Sequence, residues 1–158
     1  MITIRKIEPT DTPHVQQLIK DIMDSEFPEE SKVYAFPDIE NPVHSYCGKR
    51  DVFLVAEKNG QIIGTVAIKE DSPHVALLRR IFVGKMYRGK GYGEKLLQKA
   101  IEFCFDHHYQ TVTFRGANNM RQALKLCLKQ GFEEEDVLVT DAFKMFILKK
   151  KLSHASHK

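Results

Sequence analysis

A basic, glycine-rich segment near the middle of the chain carries the clearest chemical signal of the sequence. It reads Arg88-Gly89-Lys90-Gly91-Tyr92-Gly93, and a helical pattern begins within it. Glycine lacks a side chain, so the backbone can adopt positive φ angles and come close to a ligand. The first amides of a helix have no partner within the helix and lie at the positive end of its dipole. The segment therefore predicts a binding site for a phosphate-bearing ligand, to which Arg88 and Lys90 add positive charge.

Two common phosphate-binding motifs do not fit this segment. A P-loop requires G-x-x-x-x-G-K-[ST], which the sequence lacks. A dinucleotide fingerprint follows the first strand of a βαβ unit and is followed by an acidic residue about twenty positions later. Here the segment follows a strand in the middle of the chain, and Arg115 stands near the position expected for the acid. Neither nucleotide-binding motif is therefore indicated.

Hydrophobic periodicity around this segment predicts a mixed α/β domain. Residues 2–7 alternate as a strand, and Thr10 or Asp11 caps the helix that follows. Residues 24–50 are interrupted by prolines and read as one or two helices with loops. Glu26, Glu29 and Glu30 in this region could attract a cationic substrate, although a solvated helix end is favoured. The dipeptide Asn59-Gly60 predicts a hairpin turn. The other predicted elements are strands at residues 51–57, 62–70, 74–83, 111–114, 135–140 and 142–148, and helices at residues 91–107 and 119–129.

Length and composition predict one ordinary globular domain. The chain has 158 residues, of which 42% are hydrophobic and 28% are charged. We assign residues 1–150 to the domain and residues 151–158 to a basic polar tail. No apolar run approaches the roughly 18 residues that a membrane span requires, and the N-terminus alternates like a strand. We therefore expect a cytoplasmic protein with no membrane partner.

Cysteine, histidine and charge patterns exclude several classes of function. Cys47, Cys104 and Cys127 are an odd number without C-x-x-C spacing, and the histidines lack the spacing of a helical metal motif. We therefore expect no disulfide framework and no metal site. The net charge of +3 is too small to indicate nucleic acid by itself, and no base-stacking aromatic residues accompany the basic cluster. We expect no nucleic-acid partner.

Three parts of the sequence resemble the GNAT acyltransferase superfamily. Arg88-x-x-Gly91-x-Gly93 matches that family's [Q/R]-x-x-G-x-[G/A] hallmark, and residues 78–83 resemble the strand that precedes it. Residues 123–132 are similar to a later helix, which in the family commonly ends in a tyrosine, three residues and Gly-Phe. The resemblance covers about residues 2–150. It implies a mixed, mostly antiparallel central sheet of about seven strands flanked by helices.

The same resemblance implies an activity and a co-substrate. The implied reaction is acetyl transfer from acetyl-CoA to a primary amine of a small molecule or a peptide. The backbone of Ile81, Phe82 and Val83 is implied to contact the pantetheine arm, as an added strand does. Asn119 resembles a family asparagine that contacts the cofactor, although it stands one position early, and a plain helix cap is its equal alternative. The residues implied to hold the pyrophosphate are Arg88, Gly89, Lys90, Gly91, Tyr92 and Gly93.

The expected catalytic positions depart from the family pattern. Leu77 stands where the family often has a glutamate base, and Cys127 replaces the usual tyrosine acid. We name Glu70, at the end of the preceding strand, as a candidate base, although a solvated strand-end carboxylate is favoured. Cys127 could supply a proton or serve as an apolar filler, and the residues do not decide between these roles.

Three further expectations follow. Strand alternation predicts that Arg79 shares a face with Ile81 and Val83, where it would form a structural salt bridge or pair with a substrate carboxylate. The exposed late strands are compatible with a homodimer. Because Leu77 and Cys127 depart from the pattern, a non-catalytic CoA-binding regulatory or sensor module is the alternative function.

Overall fold

A seven-stranded mixed sheet forms the centre of the part of the chain that the structure describes. The structure is a computed structural model and describes residues 1–28, 36–139 and 144–152. The strand order is β1-β2-β3-β4-β5-β7-β6, and only β4 and β5 run parallel to each other. The predicted fold class is confirmed. The strands are β1 (Thr3–Lys6), β2 (Val52–Lys58), β3 (Gln61–Ser72), β4 (Val75–Val83), β5 (Thr111–Ala117), β6 (Glu133–Val139) and β7 (Lys144–Lys151).

Helices cover both faces of this sheet. Two of them are single turns in the region predicted to be irregular, and each begins at a proline, whose fixed φ suits the first helical position. Residues 29–35, 140–143 and 153–158 lie outside the described residues, and with them lie Glu29, Glu30 and most of the predicted tail. The described helices are α1 (Thr12–Glu26), α2 (Pro37–Glu40), α3 (Pro42–Ser45), α4 (Tyr92–Asp106) and α5 (Arg121–Lys129).

Two hydrophobic clusters lie on opposite faces of the sheet. The first packs α4 and α5 against the sheet and includes Leu96, Leu97 and Cys127. The second packs α1 and α2 against the other face and includes Val15 and Ile39. Helix periodicity explains this arrangement, because the apolar residues of α1 and of α4 each form one stripe that must be buried.

The parallel pair β4–β5 separates halfway along its length. Pairing runs from Val75 opposite Thr111 to Leu78 opposite Phe114 and stops there, although both strands continue. β5 remains paired with β7 on its other edge as far as Ala117. A gap therefore opens at the carboxyl ends of two parallel strands, which is where sheets of this kind offer a crevice for ligands.

A β-bulge lies in β4 beside this gap. Thr65 of β3 is opposite Phe82 and Ala67 is opposite Arg79. The segment of β4 from Arg79 to Phe82 therefore contains one residue more than the segment of β3 that it faces. Arg80, within the bulge, has φ = +53°. The extra residue shifts side-chain alternation, since a one-residue offset moves side chains to the other face.

The bulge overturns the prediction for Arg79. Leu78, Ile81 and Val83 pack in or against the α4-side core, whereas Phe82 packs in the α1-side core. Arg79 faces Ala67, which belongs to the α1-side core, and its guanidinium lies 4.0 Å from Asp38. Arg79 therefore does not share a face with Ile81 and Val83, because strict alternation fails across the bulge.

Candidate active site

A cavity of about 410 Å³ lies at the carboxyl end of β4, beside the point at which β4 and β5 separate. Ile22 and Phe27, from the α1 side of the sheet, line it together with Ala123 and Leu126 from α5 on the other side. Because residues of both faces form its wall, the cavity passes through the plane of the sheet. Its volume lies within the range of small-molecule sites in proteins.

The glycine-rich turn forms one end of this cavity. Gly89 has φ = +77° and Gly91 has φ = +82°, a conformation that favours glycine. A Cβ added at either position would meet no atom within 4 Å, so both glycines border open space. The turn therefore presents bare backbone to the cavity, as an incoming phosphate group requires.

Helix α4 begins at this turn with unpartnered amides. Gly91 is the residue that precedes the helix, and the first helical hydrogen bond runs from the Lys95 amide to the Gly91 carbonyl at 3.1 Å. The amides of residues 92–94 precede the residue that donates this first bond, so they have no acceptor within the helix. No side chain within the described chain caps this helix end. The amides and the helix dipole together suit an anion.

Val83 directs its backbone groups toward the cavity. The Gly84 amide donates to the Ile63 carbonyl at 2.8 Å, which makes these two residues a hydrogen-bonded pair of the ladder. In an antiparallel ladder such pairs alternate with non-bonded pairs, so Val83, opposite Gly64, points its amide and carbonyl away from β3. This edge of β4 can therefore accept an extended ligand in the manner of an added strand.

Arg88 connects the turn to β4 and to α1. Its Nε donates to the Val83 carbonyl at 3.0 Å, and its Nη1 and Nη2 donate to the two carboxylate oxygens of Glu26 at 2.6 and 2.7 Å. Both side chains are mostly buried. Each of the three guanidinium nitrogens thus donates to a protein oxygen, and Glu26 balances the charge.

Gly93 allows α4 to lie close to its neighbours. A Cβ at this position would lie 3.3 Å from Leu126 Cδ2 and 3.5 Å from Val83 Cγ2. The absence of a side chain at Gly93 therefore lets the helix start approach both β4 and α5, which brings the turn to the cavity rim.

The structure brings most of the predicted cofactor-binding residues together. Lys90 is exposed and is not one of the residues that line the cavity. Met120, and not Asn119, directly precedes α5, and the Met120 side chain forms no cap hydrogen bond. The predicted residues that line the cavity are Ile81, Phe82, Val83, Arg88, Gly89, Gly91, Tyr92, Gly93 and Asn119.

Cys127, predicted as a candidate acid, lies in the hydrophobic core. It is fully buried, and among the described residues it is Leu126, not Cys127, that α5 contributes to the cavity wall at this point. Burial raises the pKa of the Cys127 thiol to about 12. The structure therefore places this thiol as an apolar filler of the α4-side core rather than beside the cavity.

Glu70, predicted as a candidate base, lies away from the cavity. Its backbone is opposite Ala76, near the start of β4, whereas the cavity lies near the end of that strand. Its carboxylate forms an ion pair with Arg50 at 3.2 Å and is substantially exposed. This placement matches the alternative of a solvated strand-end carboxylate.

Several cavity residues were not predicted to bind the cofactor. Glu26 was considered only as a group that could attract a cationic substrate, and its contact with Arg88 joins residues that are 62 positions apart. Glu94 also lines the wall and lies 3.4 Å from Lys129. No pattern within a short stretch of sequence indicates an ion pair between residues this far apart. Other lining residues without a sequence signal are Tyr87, Met120, Arg121 and Gln122.

Metal and membrane features are not found in the described residues. Across residues 1–28, 36–139 and 144–152, no three His, Cys, Asp or Glu side chains are grouped so that they could hold a metal ion. None of the helices that the structure describes combines the length and the apolar character needed to span a membrane.

An α+β fold with a gap between parallel strands and an uncapped, glycine-rich helix start suits a ligand that carries phosphate groups, and comparisons with known proteins identify the family. The pattern of the Acetyltransferase (GNAT) family matches residues 16–132. The chain therefore belongs to this family, and the predicted resemblance is confirmed.

Individual relatives agree with this assignment. The "Probable N-acetyltransferase camello" of Xenopus tropicalis is 36% identical over 87 residues, which are 54% of this chain and 40% of that protein. The chain matches less than half the length of the first curated relatives.

Solved structures share the fold over nearly the whole chain. A GNAT family acetyltransferase from Staphylococcus aureus Mu50 has a TM-score of 0.81 at 22% identity, covering 97% of this chain and 100% of that one. The yncA protein of Salmonella typhimurium, solved with its cofactor acetyl-CoA, has a TM-score of 0.79 at 16% identity, covering 98% and 95%. At these identities the similarity shows the fold.

Proposed function

We propose that this protein binds acetyl-CoA in the cavity and transfers the acetyl group to a primary amine of a small molecule or a peptide. The observation that carries the proposal is the gap between β4 and β5, which has bare helix amides at one end and, along its side, a stretch of β4 that no longer pairs with β5. Relatives with names such as N-acetyltransferase, and the acetyl-CoA held by yncA, support it.

The two ends of the co-substrate have distinct places in this proposal. The amides around Gly91 to Glu94 hold the pyrophosphate, and the Val83 edge of β4 binds the pantetheine arm. Since α4 and its turn lie on one side of the sheet, the amine enters the gap from the side covered by α1. Ile81 also lines the cavity and would pack against the acyl end of the co-substrate.

The chemistry requires an amine nitrogen to attack the thioester carbonyl carbon. An amide bond forms, the carbon–sulfur bond breaks, the nitrogen loses a proton and the CoA sulfur gains one. A strand amide polarises the carbonyl. The carboxylates that the described residues bring to the cavity, Glu26 and Glu94, are both ion-paired, so we assign neither as the base. A protonated amine first gives one proton to water, and the proton that the nitrogen loses as the amide forms balances the one that the CoA sulfur gains.

Substitution of Gly91 tests this site. Gly91→Glu puts a side chain and a negative charge into the open space at the turn, so we expect CoA affinity to fall by at least about 100-fold, which is about 2.8 kcal/mol. Isothermal titration with CoA measures the loss. Unchanged affinity would remove the turn from the site.

Gly60→Glu is the matched control for that substitution. Gly60 has φ = +80° and also borders open space, but it lies in the β2–β3 hairpin and does not line the cavity. Both variants carry a similar backbone cost, of about 1–2 kcal/mol. Only Gly91→Glu should affect CoA, and equal losses in both would indicate a general folding defect.

An amine panel separates the enzyme from the alternative of a CoA-binding sensor. Free CoA is measured as it forms from acetyl-CoA with amino acids, polyamines and short peptides as acceptors. Turnover above the buffer rate with one class supports transfer, whereas tight CoA binding without turnover supports the regulatory module. A cytoplasmic location, a homodimer and the division into a domain at residues 1–150 and a tail at residues 151–158 belong to this proposal as expectations.

A further inference from the structure

Arg80 has a backbone conformation that is unusual for its residue type and position. Its φ is +53° in the middle of strand β4. The other non-glycine residues with positive φ in the described chain are Asn59, in a hairpin turn, and His108, directly after α4. A residue with a Cβ adopts this conformation at a cost in free energy, and such strain persists only where the surroundings enforce it.

Contacts with α2 and β3 hold Arg80 in this conformation. The Thr65 hydroxyl donates to the Arg80 carbonyl at 2.7 Å. The guanidinium donates to both carboxylate oxygens of Asp38 at 2.8 and 2.7 Å and lies over the Phe36 ring at 4.5 Å. The Arg80 and Asp38 side chains are only 14% and 12% exposed.

Asp38 is itself held in place. The Tyr46 hydroxyl donates to its Oδ2 at 2.7 Å, and Tyr46 packs edge-on against Phe53 in the α1-side core. Burial alone would raise the pKa of Asp38, but the hydrogen bond and the charge of Arg80 outweigh it, so the pKa lies below the usual value. The carboxylate is therefore ionised at neutral pH and remains a fixed anchor for the guanidinium.

The conformation of Arg80 determines which groups of β4 reach the cavity. Because of the extra residue, Leu78 and Ile81 pack on the same side of the sheet although they are three positions apart. Without the bulge, Ile81 and Val83 would turn toward the α1 side and the strand edge at the cavity would change. The bulge therefore sets the alignment of the acyl site.

We propose that Asp38 and Thr65 are positioning residues, which act through Arg80 to fix the bulge of β4 and thereby set the rate of acyl transfer. We call the contacts of Asp38 and Thr65 with Arg80 the bulge clamp. The inference rests on the proposed function, because the rate is that of the proposed transfer. Neither Asp38 nor Thr65 contacts the reacting atoms in this proposal.

A double-mutant cycle tests whether Asp38 acts through Arg80. Asp38→Asn weakens the clamp, so kcat should fall by about 10- to 100-fold, the scale expected for a misplacement of about 1 Å, while KM for acetyl-CoA changes by less than about threefold. Arg80→Gly removes the strain, since glycine accepts φ = +53°. In the Arg80→Gly background, Asp38→Asn should therefore change kcat by less than about threefold. An equal loss in both backgrounds overturns the proposal.

Thr65→Val provides a second, nearly isosteric variant if Asp38→Asn destabilises the fold. It removes the hydroxyl that donates to the Arg80 backbone carbonyl, so it should lower kcat without a matching change in KM. Glu102→Gln is the control, because Glu102 is exposed and lies 3.9 Å from Lys99, away from the site. All rates are measured well below the lowest Tm of the set.

Hydrogen exchange separates failure of this inference from failure of the proposed function. A wild-type protein without turnover on any amine would contradict the proposed function, but the clamp still predicts faster amide exchange in the β4 peptide of Asp38→Asn and of Thr65→Val. Exchange in β4 that matches the wild type in both variants overturns the clamp. An active wild type with an unchanged kcat in both variants does the same.

Discussion

At the scale of single residues, the surroundings of a side chain decide its role more than its type does. Cys127 occupies the position at which the family commonly has a tyrosine, yet its thiol lies in the α4-side core with its pKa raised to about 12 by burial. A thiol of this kind stays protonated at neutral pH and is fully buried away from solvent. The Cys127 side chain thus contributes to the packing of the α4-side core.

Cys127→Ala tests this role directly. We expect a stability loss of about 1 kcal/mol, because the sulfur leaves a small cavity, and a change in kcat no larger than about twofold. Cys127→Ser should destabilise more, since it buries a hydroxyl in an apolar environment. Tm and kcat are measured on both variants. A proton donor contributes about 10²- to 10⁴-fold, so a loss of that size in Cys127→Ala at unchanged stability would assign catalysis to the thiol.

At the scale of secondary-structure elements, local signals predicted most of the fold and long-range contacts produced the exceptions. The Asn59-Gly60 turn and the glycine-rich turn before α4 were predicted correctly, because positive φ is a local property of these residues. The bulge of β4 was missed, because it depends on Asp38, which is 42 positions away from Arg80. The neutralised charge of Arg88 was missed for the same reason.

Arg88 anchors the glycine-rich turn to β4 and α1. A substitution that keeps the positive charge tests this anchoring separately from the effect of charge. Arg88→Lys keeps the charge but cannot bind Val83 and both oxygens of Glu26 together, so we expect CoA affinity to fall by about tenfold and stability by about 1–2 kcal/mol. Lys90→Gln removes a charge at an exposed position, and we expect at most about a threefold loss of affinity.

Titration calorimetry and thermal melting on these two variants distinguish the explanations. If general electrostatic attraction dominates the turn, Lys90→Gln should be the weaker binder of the two. A weaker binding of Arg88→Lys, accompanied by a lower Tm, supports the role of Arg88 as the link between α1, β4 and the turn.

At the scale of the whole molecule, partly buried ion pairs join the helices of the α1 side to the sheet. Arg5 of β1 contacts Asp11, which precedes α1, and Glu57 of β2, each at 2.7 Å. Asp38 of α2 holds Arg80 of β4 in the same way. These pairs connect the α1 side of the molecule to the sheet, so the position of α1 at the gap depends on carboxylates that remain ionised.

Acid should therefore destabilise the molecule through these pairs. The hydrogen bond from Arg5 is the largest effect that lowers the pKa of Asp11, and burial, which opposes it, is smaller. A carboxyl group whose pKa is lower in the folded state stabilises the fold fully above its unfolded-state pKa, near 3.8, and loses that stabilisation as the pH falls through the folded value. Tm of the wild type should thus be nearly constant above that pH and fall steeply below it.

Asp11→Asn and Asp38→Asn test this origin of acid sensitivity. Each variant should melt at a lower temperature than the wild type at neutral pH, because Arg5 loses one of its two carboxylate partners in Asp11→Asn and the mostly buried Arg80 loses the charge of Asp38 in Asp38→Asn. Each should also show a shallower fall of Tm in acid, since the group that would take up the proton is gone. Melting curves between neutral pH and about pH 3 measure both effects, with Glu102→Gln as the exposed control. If the variants lose Tm in acid as steeply as the wild type, the acid sensitivity comes from other carboxylates and not from Asp11 and Asp38.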